Sequence, residues 1–167
     1  MISANKMDQI QIRRIEKSDD AAIASVIRNV LIEHNVPKVG TAYADPQLDY
    51  MSDAYSGPRT AYFVVDDNGK IAGGAGIAPL EGEDDEICEL QKMYFHPAMR
   101  GRGIGSQMIQ KCLDFAKSAG YKKCYLETMP YMTAAQALYK KSGFSYIDQP
   151  MGNTGHNACP VWMLREL

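Results

Sequence analysis

The stretch Glu86 to Gly105, EICELQKMYFHPAMRGRGIG, concentrates the residues whose chemistry is easiest to read. It opens as a strand-like apolar run and ends in a turn rich in glycine and arginine. A long amphipathic pattern, Gly103 to Ala119, follows at once. A strand that runs through glycines into a helix start makes an anion site. The first N–H groups of a helix lack internal partners, and the helix dipole places partial positive charge there. Glycines let the backbone approach the anion closely, and Arg100 and Arg102 add fixed positive charge. Spacing then decides among phosphate loops. A P-loop needs GxxxxGK[ST], and this turn has neither that lysine nor that glycine spacing. A dinucleotide fingerprint, GxGxxG, fits at Gly101 and Gly103, and Glu127 ends the next strand where a ribose-binding acid would stand. Its third glycine position holds Ser106, and only one β-α-β unit is present, so the fit is poorer. A third spacing, R/Q-x-x-G-x-G/A, has Arg100, Gly103 and Gly105 in register.

Other segments must hold this turn in place. Ile10 to Ile15 alternates and predicts a first strand. Ser18 or Asp19 is expected to cap a helix through about Asn35, with Ala22, Ile23, Val26, Ile27, Val30 and Leu31 on its apolar stripe. A short second helix is expected over Pro46 to Tyr55. Ala61 to Val65 and Lys70 to Ala78 read as a hairpin turning at Asn68-Gly69. Gly73, Gly74 and Gly76 in its second strand mark a bulge or a close approach. Residues 81–86, EGEDDE, form an acidic loop that either steers a cation or is simply solvated. Ile87–Phe95, the helix and Tyr121–Thr128 make a right-handed parallel β-α-β unit. A helix at Thr133 to Ser142 and strands at Phe144–Ile147 and Val161–Leu164 complete the chain. The expectation is one α+β domain over residues 1–167, with 1–8 a loose end. Its mixed, mostly antiparallel sheet has about seven strands and helices on both faces.

Composition narrows the classes. The chain has 167 residues, 46% of them hydrophobic, and a net charge of −2, so no global field draws nucleic acid or an anionic membrane. No run reaches the roughly 18 apolar residues of a membrane span. The N-terminus has no apolar signal core, which predicts a cytoplasmic protein. Cys88, Cys112, Cys124 and Cys159 are widely spaced within apolar segments and read as reduced core thiols. His34, His96 and His156 are scattered, so no metal site is expected.

The third loop spacing, the run ELQKMYFHPAMRGRGIG, the strand end YLET and the later ALYKKSGF together resemble the GNAT N-acetyltransferases. The order of elements over about residues 10–166 matches as well. The resemblance implies a cleft for acetyl-CoA between the central parallel strands, which splay apart at their C-terminal ends. It implies that the N–H groups of Met93 and Phe95, flanking Tyr94, hold the thioester carbonyl and the pantetheine arm. The pyrophosphate would then lie on Arg100, Gly101, Arg102, Gly103, Ile104, Gly105 and Ser106. Tyr139 stands where the family places a tyrosine that protonates the departing thiolate. Glu89 stands where some members carry a base, others using water chains. Many members have an asparagine before the last helix; here Thr133 either substitutes for it or caps the helix.

The acceptor is read from weaker signals. Gln91 shares a strand face with Glu89 and would bind substrate or a water. Tyr43, with Tyr50 and Tyr55, offers aromatic surface in the segment that walls the acceptor pocket in this family. Asp45, Asp49 and Asp53 offer charge for an amine or form an ordinary solvated face. His156 is a base, a substrate contact or a plain loop residue. The implied activity is acetyl transfer from acetyl-CoA, without a metal, to the primary amine of a small molecule, by a monomer or homodimer. A non-catalytic acyl-CoA sensor on the same fold is the alternative.

Overall fold

A computed structural model describes residues 9–167, so the expected loose end at 1–8 lies outside the described residues. The strands are β1 (Ile10–Arg14), β2 (Ala61–Asp67), β3 (Lys70–Pro79), β4 (Ile87–Phe95), β5 (Lys123–Thr128), β6 (Ser145–Ile147) and β7 (Val161–Glu166). They form one sheet of seven in the order β1-β2-β3-β4-β5-β7-β6. Every neighbouring pair is antiparallel except β4 and β5. The helices are α1 (Asp20–Glu33), α2 (Met51–Ala54), α3 (Ile104–Ser118) and α4 (Thr133–Lys141).

Each face buries its own cluster. Met108, Ile109, Cys112, Leu113 and Ala116 of α3 pack on Phe63, Val65, Cys88 and Leu90. On the other face Ile23, Ile27 and Leu31 of α1 meet Leu48, Met51, Tyr55, Tyr62 and Val64. Burial of the Ile, Leu, Met, Phe and Val side chains among these contributes roughly 1.5–3 kcal/mol each. Cys88, Cys112 and Cys124 are buried thiols as expected, whereas Cys159 is only half-buried.

Two helix expectations change. The segment Pro46 to Tyr55 is not one helix: a 3-10 turn covers Pro46–Asp49, Tyr50 leaves helical geometry with ψ 48°, and α2 is a single turn. Its start is tied down instead, because Ser52 donates to the Asp20 carboxylate through N–H at 2.8 Å and hydroxyl at 2.7 Å. Asp19 does precede α1, but its carboxylate accepts from the Glu16 N–H and closes a preceding 3-10 turn. Arg13 grips the same carboxylate at 2.8 and 3.0 Å and holds it below the usual carboxylate range.

Two features of β4 position the site. First, it pairs with β5 only at Ile87–Lys123, Cys88–Cys124 and Glu89–Tyr125, after which the two strands part. Second, it carries one residue more than β3 across Gly74 to Gly76, where the partners jump from Tyr94 to Gln91. This is a β-bulge, and Lys92 sits in it with a φ of 50°. The bulge leaves the Lys92 carbonyl outside the ladder, and the buried Tyr62 hydroxyl donates to it at 2.8 Å. Tyr62 reaches there only because β3 has no side chains in the way. A Cβ on Gly74 or Gly76 would lie 2.5 or 2.6 Å from the Tyr62 ring.

Tyr62→Phe leaves that carbonyl without its donor and is expected to cost about 1–3 kcal/mol in urea unfolding. Unchanged stability would show that the hydroxyl does not clamp the bulge.

Candidate active site

Where β4 and β5 part, backbone donors are left over. The His96 N–H donates to Ala72 of β3 at 2.8 Å. Alternation along the strand turns the N–H groups of Phe95 and Met93 the other way, toward the opening. A cleft of about 390 Å³ begins there, lined by Met93, Tyr94, Phe95, Gly101, Gly103, Ile104, Gly105, Thr133 and Leu138. The loop before α3 forms its far end. Gly101 and Gly103 have φ of 73° and 77°, a region that favours glycine. At Gly105 a Cβ would stand 2.6 Å from the Cδ2 of Leu138 in α4, so that side chain would have to move aside. Among the described residues, no N–H from Gly101 to Ser106 has a hydrogen-bond partner. Such a row at a helix start favours an anion such as phosphate.

The arginines and the outer residues of this loop depart from expectation. The Arg100 N–H is taken up by Pro97 at 3.2 Å. Its guanidinium grips Glu33 of α1 at 2.9 and 2.7 Å and donates to the Phe95 carbonyl at 3.1 Å. Arg100 therefore lines the cleft already paired. Arg102 lies back on the Ala98 carbonyl at 3.5 Å, outside the cleft lining. The Ser106 side chain faces outward on α3 beside Gln107 and Gln110. Thr133 begins α4 without a side-chain cap.

A second, smaller cavity of about 40 Å³ lies in the gap itself, lined among others by Lys92, Met93, Tyr94, Leu126, Glu127, Tyr139 and Cys159. That is room for a few waters. Tyr139 of α4 is 7% exposed and packs edge-on against Phe144, with ring centres 6.1 Å apart. Its hydroxyl has no partner among the described residues, and no polar side-chain atom is both fully buried and unpaired, so it opens onto free space. Burial pushes the phenol up, which keeps its proton at neutral pH. Burial likewise pushes the Cys159 thiol up to about 12.

On the α1 face the polar side chains converge. Glu89 is 6% exposed. Gln91 donates to it at 2.6 Å, and the Tyr55 hydroxyl donates to Gln91 at 2.5 Å. Burial pushes the Glu89 carboxyl up to about 7, against the opposing pull of the Gln91 hydrogen bond. Beside it, Asp45 accepts from His156 Nε2 at 2.9 Å and pairs with Lys92 at 3.2 Å. Burial would raise the Asp45 carboxyl, but these two partners outweigh it and hold it low. For His156, burial opposes the charge, and the Asp45 contact outweighs burial and raises the ring. Glu127 accepts from the Tyr125 hydroxyl at 2.7 Å and from the Thr154 hydroxyl. Both of its oxygens are thus engaged, one by β5 itself and one by the loop before β7.

Of the expected acceptor residues, Gln91 and His156 meet here, and Tyr43 does not. Tyr43 lies on an open groove along α1 beside Arg28 and Asp49, with Lys38 5.2 Å above its ring. Asp49 and Asp53 pair outward with Arg28 and Lys17, so only Asp45 of the three faces the site. The acidic loop packs against the loop before β7 through Glu81 and Glu83. Lys92 was missed. Strict alternation assigns it to the α3 face with Cys88 and Leu90, and a lone cation in that apolar run was the available sign of a bulge.

No helix among the described residues is long and apolar enough to cross a membrane. The family model for the Acetyltransferase (GNAT) family matches residues 28–144. The chain is 47% identical over 156 residues to the uncharacterized N-acetyltransferase YjgM of Escherichia coli K12, covering 93% of each. Its fold is that of a GNAT-family acetyltransferase from Staphylococcus aureus Mu50, with a TM-score of 0.84, 22% identity and coverage of 95% of this chain and 99% of that one. It is also that of a phosphinothricin acetyltransferase from Sinorhizobium meliloti in complex with acetyl-CoA, with a TM-score of 0.74, 21% identity and coverage of 95% and 88%. With splayed strands, a free row of N–H groups and these matches in hand, the chain belongs to the GNAT family of acetyltransferases, which take their acetyl group from acetyl-CoA.

Proposed function

We propose that this chain moves the acetyl group of acetyl-CoA to the primary amine of a small molecule by direct attack, with Glu89 as base and Tyr139 as acid. The observation that carries this reading is Glu89, buried where the parallel strands part, with a carboxyl poised at about 7. A base works best with a pKa near the operating pH. The structurally similar S. meliloti protein is a phosphinothricin acetyltransferase, which fits an acceptor of small size.

The N–H groups from Gly101 to Ser106 would hold the pyrophosphate, and the cleft between α3 and α4 the pantetheine arm. The thioester supplies an activated acyl carbon. Glu89 takes one proton from the substrate ammonium, directly or through a water, so that a neutral nitrogen attacks that carbon. The N–H groups of Met93 and Phe95 donate to the oxyanion that forms, and fixed donors of this kind are a large catalytic contribution. As the C–S bond breaks, Tyr139 gives its proton to the sulfur. The nitrogen gives a second proton to water, and the phenolate recovers one from water. The proton on Glu89 is then the net proton released.

Thiol release across a panel of primary amines tests the activity; no release with any amine would overturn it. The rate kcat/KM should rise with pH through about 7 as Glu89 loses its proton. Glu89→Gln should remove that limb and lower kcat/KM by about 10²–10⁴-fold. A mutant that keeps the wild-type pH profile would exclude Glu89 as the base. Tyr139→Phe should lower kcat by about 10²-fold or more with little change in acetyl-CoA affinity. Unaltered turnover would remove Tyr139 as the acid. Gly103→Glu should abolish acetyl-CoA binding in calorimetry. A Cβ there meets nothing within 4 Å, so the loss would come from backbone strain and charge in the loop rather than a core clash. Tight binding by the folded mutant would show that the phosphates lie elsewhere.

A further inference from the structure

Two basic groups meet on one carboxylate: Asp45 pairs with Lys92 at 3.2 Å and with His156 at 2.9 Å, and the His156 contact favours the protonated ring. The Lys92 side chain is 3% exposed and that of His156 19% exposed. A buried cation without a counter-charge is costly. The other carboxylates near the cluster are Glu89 and Glu127. Glu127 accepts from the neutral Tyr125 and Thr154 hydroxyls and keeps its charge, but it contacts neither Lys92 nor His156. Ionised Glu89 balances the cluster, but in the proposed reaction Glu89 accepts a proton and that balance is lost. Donors also remain free. Lys92 has three protons and two acceptors, Asp45 and Gln47, the latter at 3.5 Å. His156 Nδ1 has no partner among the described residues, and it opens onto free space because no fully buried side-chain polar atom of those residues is unpaired. The bulge is what brings Lys92 to the same face as Glu89 and Gln91.

We propose that Lys92 and His156, both held on Asp45, bind a carboxylate on the acceptor, so that the substrate is an amino acid rather than a polyamine or an uncharged amine. This rests on the reading of Glu89 as the base. The amine lies toward Glu89, and the acceptor's own carboxylate supplies the missing negative charge as Glu89 becomes neutral. A polyamine would instead bring a second cation toward Lys92 and His156, and like charges so placed repel.

The test is thiol release from acetyl-CoA with matched acceptors: common amino acids, their amides, their decarboxylated amines, and spermidine. The best acceptor should be an amino acid, with kcat/KM at least roughly tenfold above its own amide. Lys92→Met should narrow that ratio by about tenfold or more, mainly through KM. His156→Gln should narrow it in the same sense, and it serves if Lys92→Met fails to fold by circular dichroism. A best acceptor that is a polyamine or a neutral amine, or a ratio that neither substitution moves, overturns the inference and leaves the base standing. A Glu89→Gln protein that acetylates acids and amides at wild-type rates overturns the base and this inference together.

Discussion

One residue too many in β4 sets the geometry on which both halves of the site depend. Lys92 occupies the bulge with a φ of 50°, and its carbonyl, excluded from the β3 ladder, is held by Tyr62. Before the bulge, Glu89 and Gln91 face α1 and α2, while Cys88 and Leu90 face α3. The extra residue places Lys92 beside Gln91 on the first of these faces, near Tyr55 and Asp45. It also shifts the phase of everything after it. Met93 and Phe95 then pack toward α3 and Tyr94 toward α1. The same shift sends the N–H groups of Met93 and Phe95 into the gap left by β5. A regular strand would have buried Lys92 against α3 and turned those donors into the β3 ladder.

Burial then sets what the side chains at the gap can do. Glu89 and Tyr139 are both raised by desolvation, with opposite consequences. A carboxylic acid moved to about 7 can both hold and release a proton near neutrality. A phenol moved upward only holds its proton more firmly, which suits a donor to a departing anion. Asp45 is the counter-example, since two cations outweigh its burial and keep it charged. The proposed division of labour follows from these environments: a tunable base, a fixed acid and a fixed anion holding two cations.

Much of this was legible beforehand, for local reasons. β4 occupies Ile87–Phe95, the span that its apolar run predicts, and the hairpin turns at Asn68-Gly69. Gly101 and Gly103 adopt the positive φ that a glycine-rich turn at a helix start suggests. The warning in β3 was also readable: its glycines mark a close approach, and the approaching group is the Tyr62 ring. Other readings failed because the deciding partner lay far along the chain. Arg100 read as a fixed charge beside the anion or a solvated one, and its ion pair with Glu33 of α1, 67 positions away, was not legible. Pro46 to Tyr55 looked like one helix until Ser52 was drawn to Asp20 across 32 positions.

By itself the sequence determined the order of strands and helices, the parallel β-α-β unit, the glycine turn before α3 and the place of Tyr139 on the last helix. Periodicity, glycine backbone freedom and residue spacing are local properties, readable within a dozen residues. Only the tertiary structure decided which polar groups meet. Asp45 and His156 come together across 111 positions, while Asp49 and Asp53, alike in type and spacing, turn outward to Arg28 and Lys17. Lys92 joins them because a bulge reverses its side, and Tyr43 stays away because its loop faces the α1 groove. Such meetings depend on how strands splay and loops cross, and no short window of sequence carries that information.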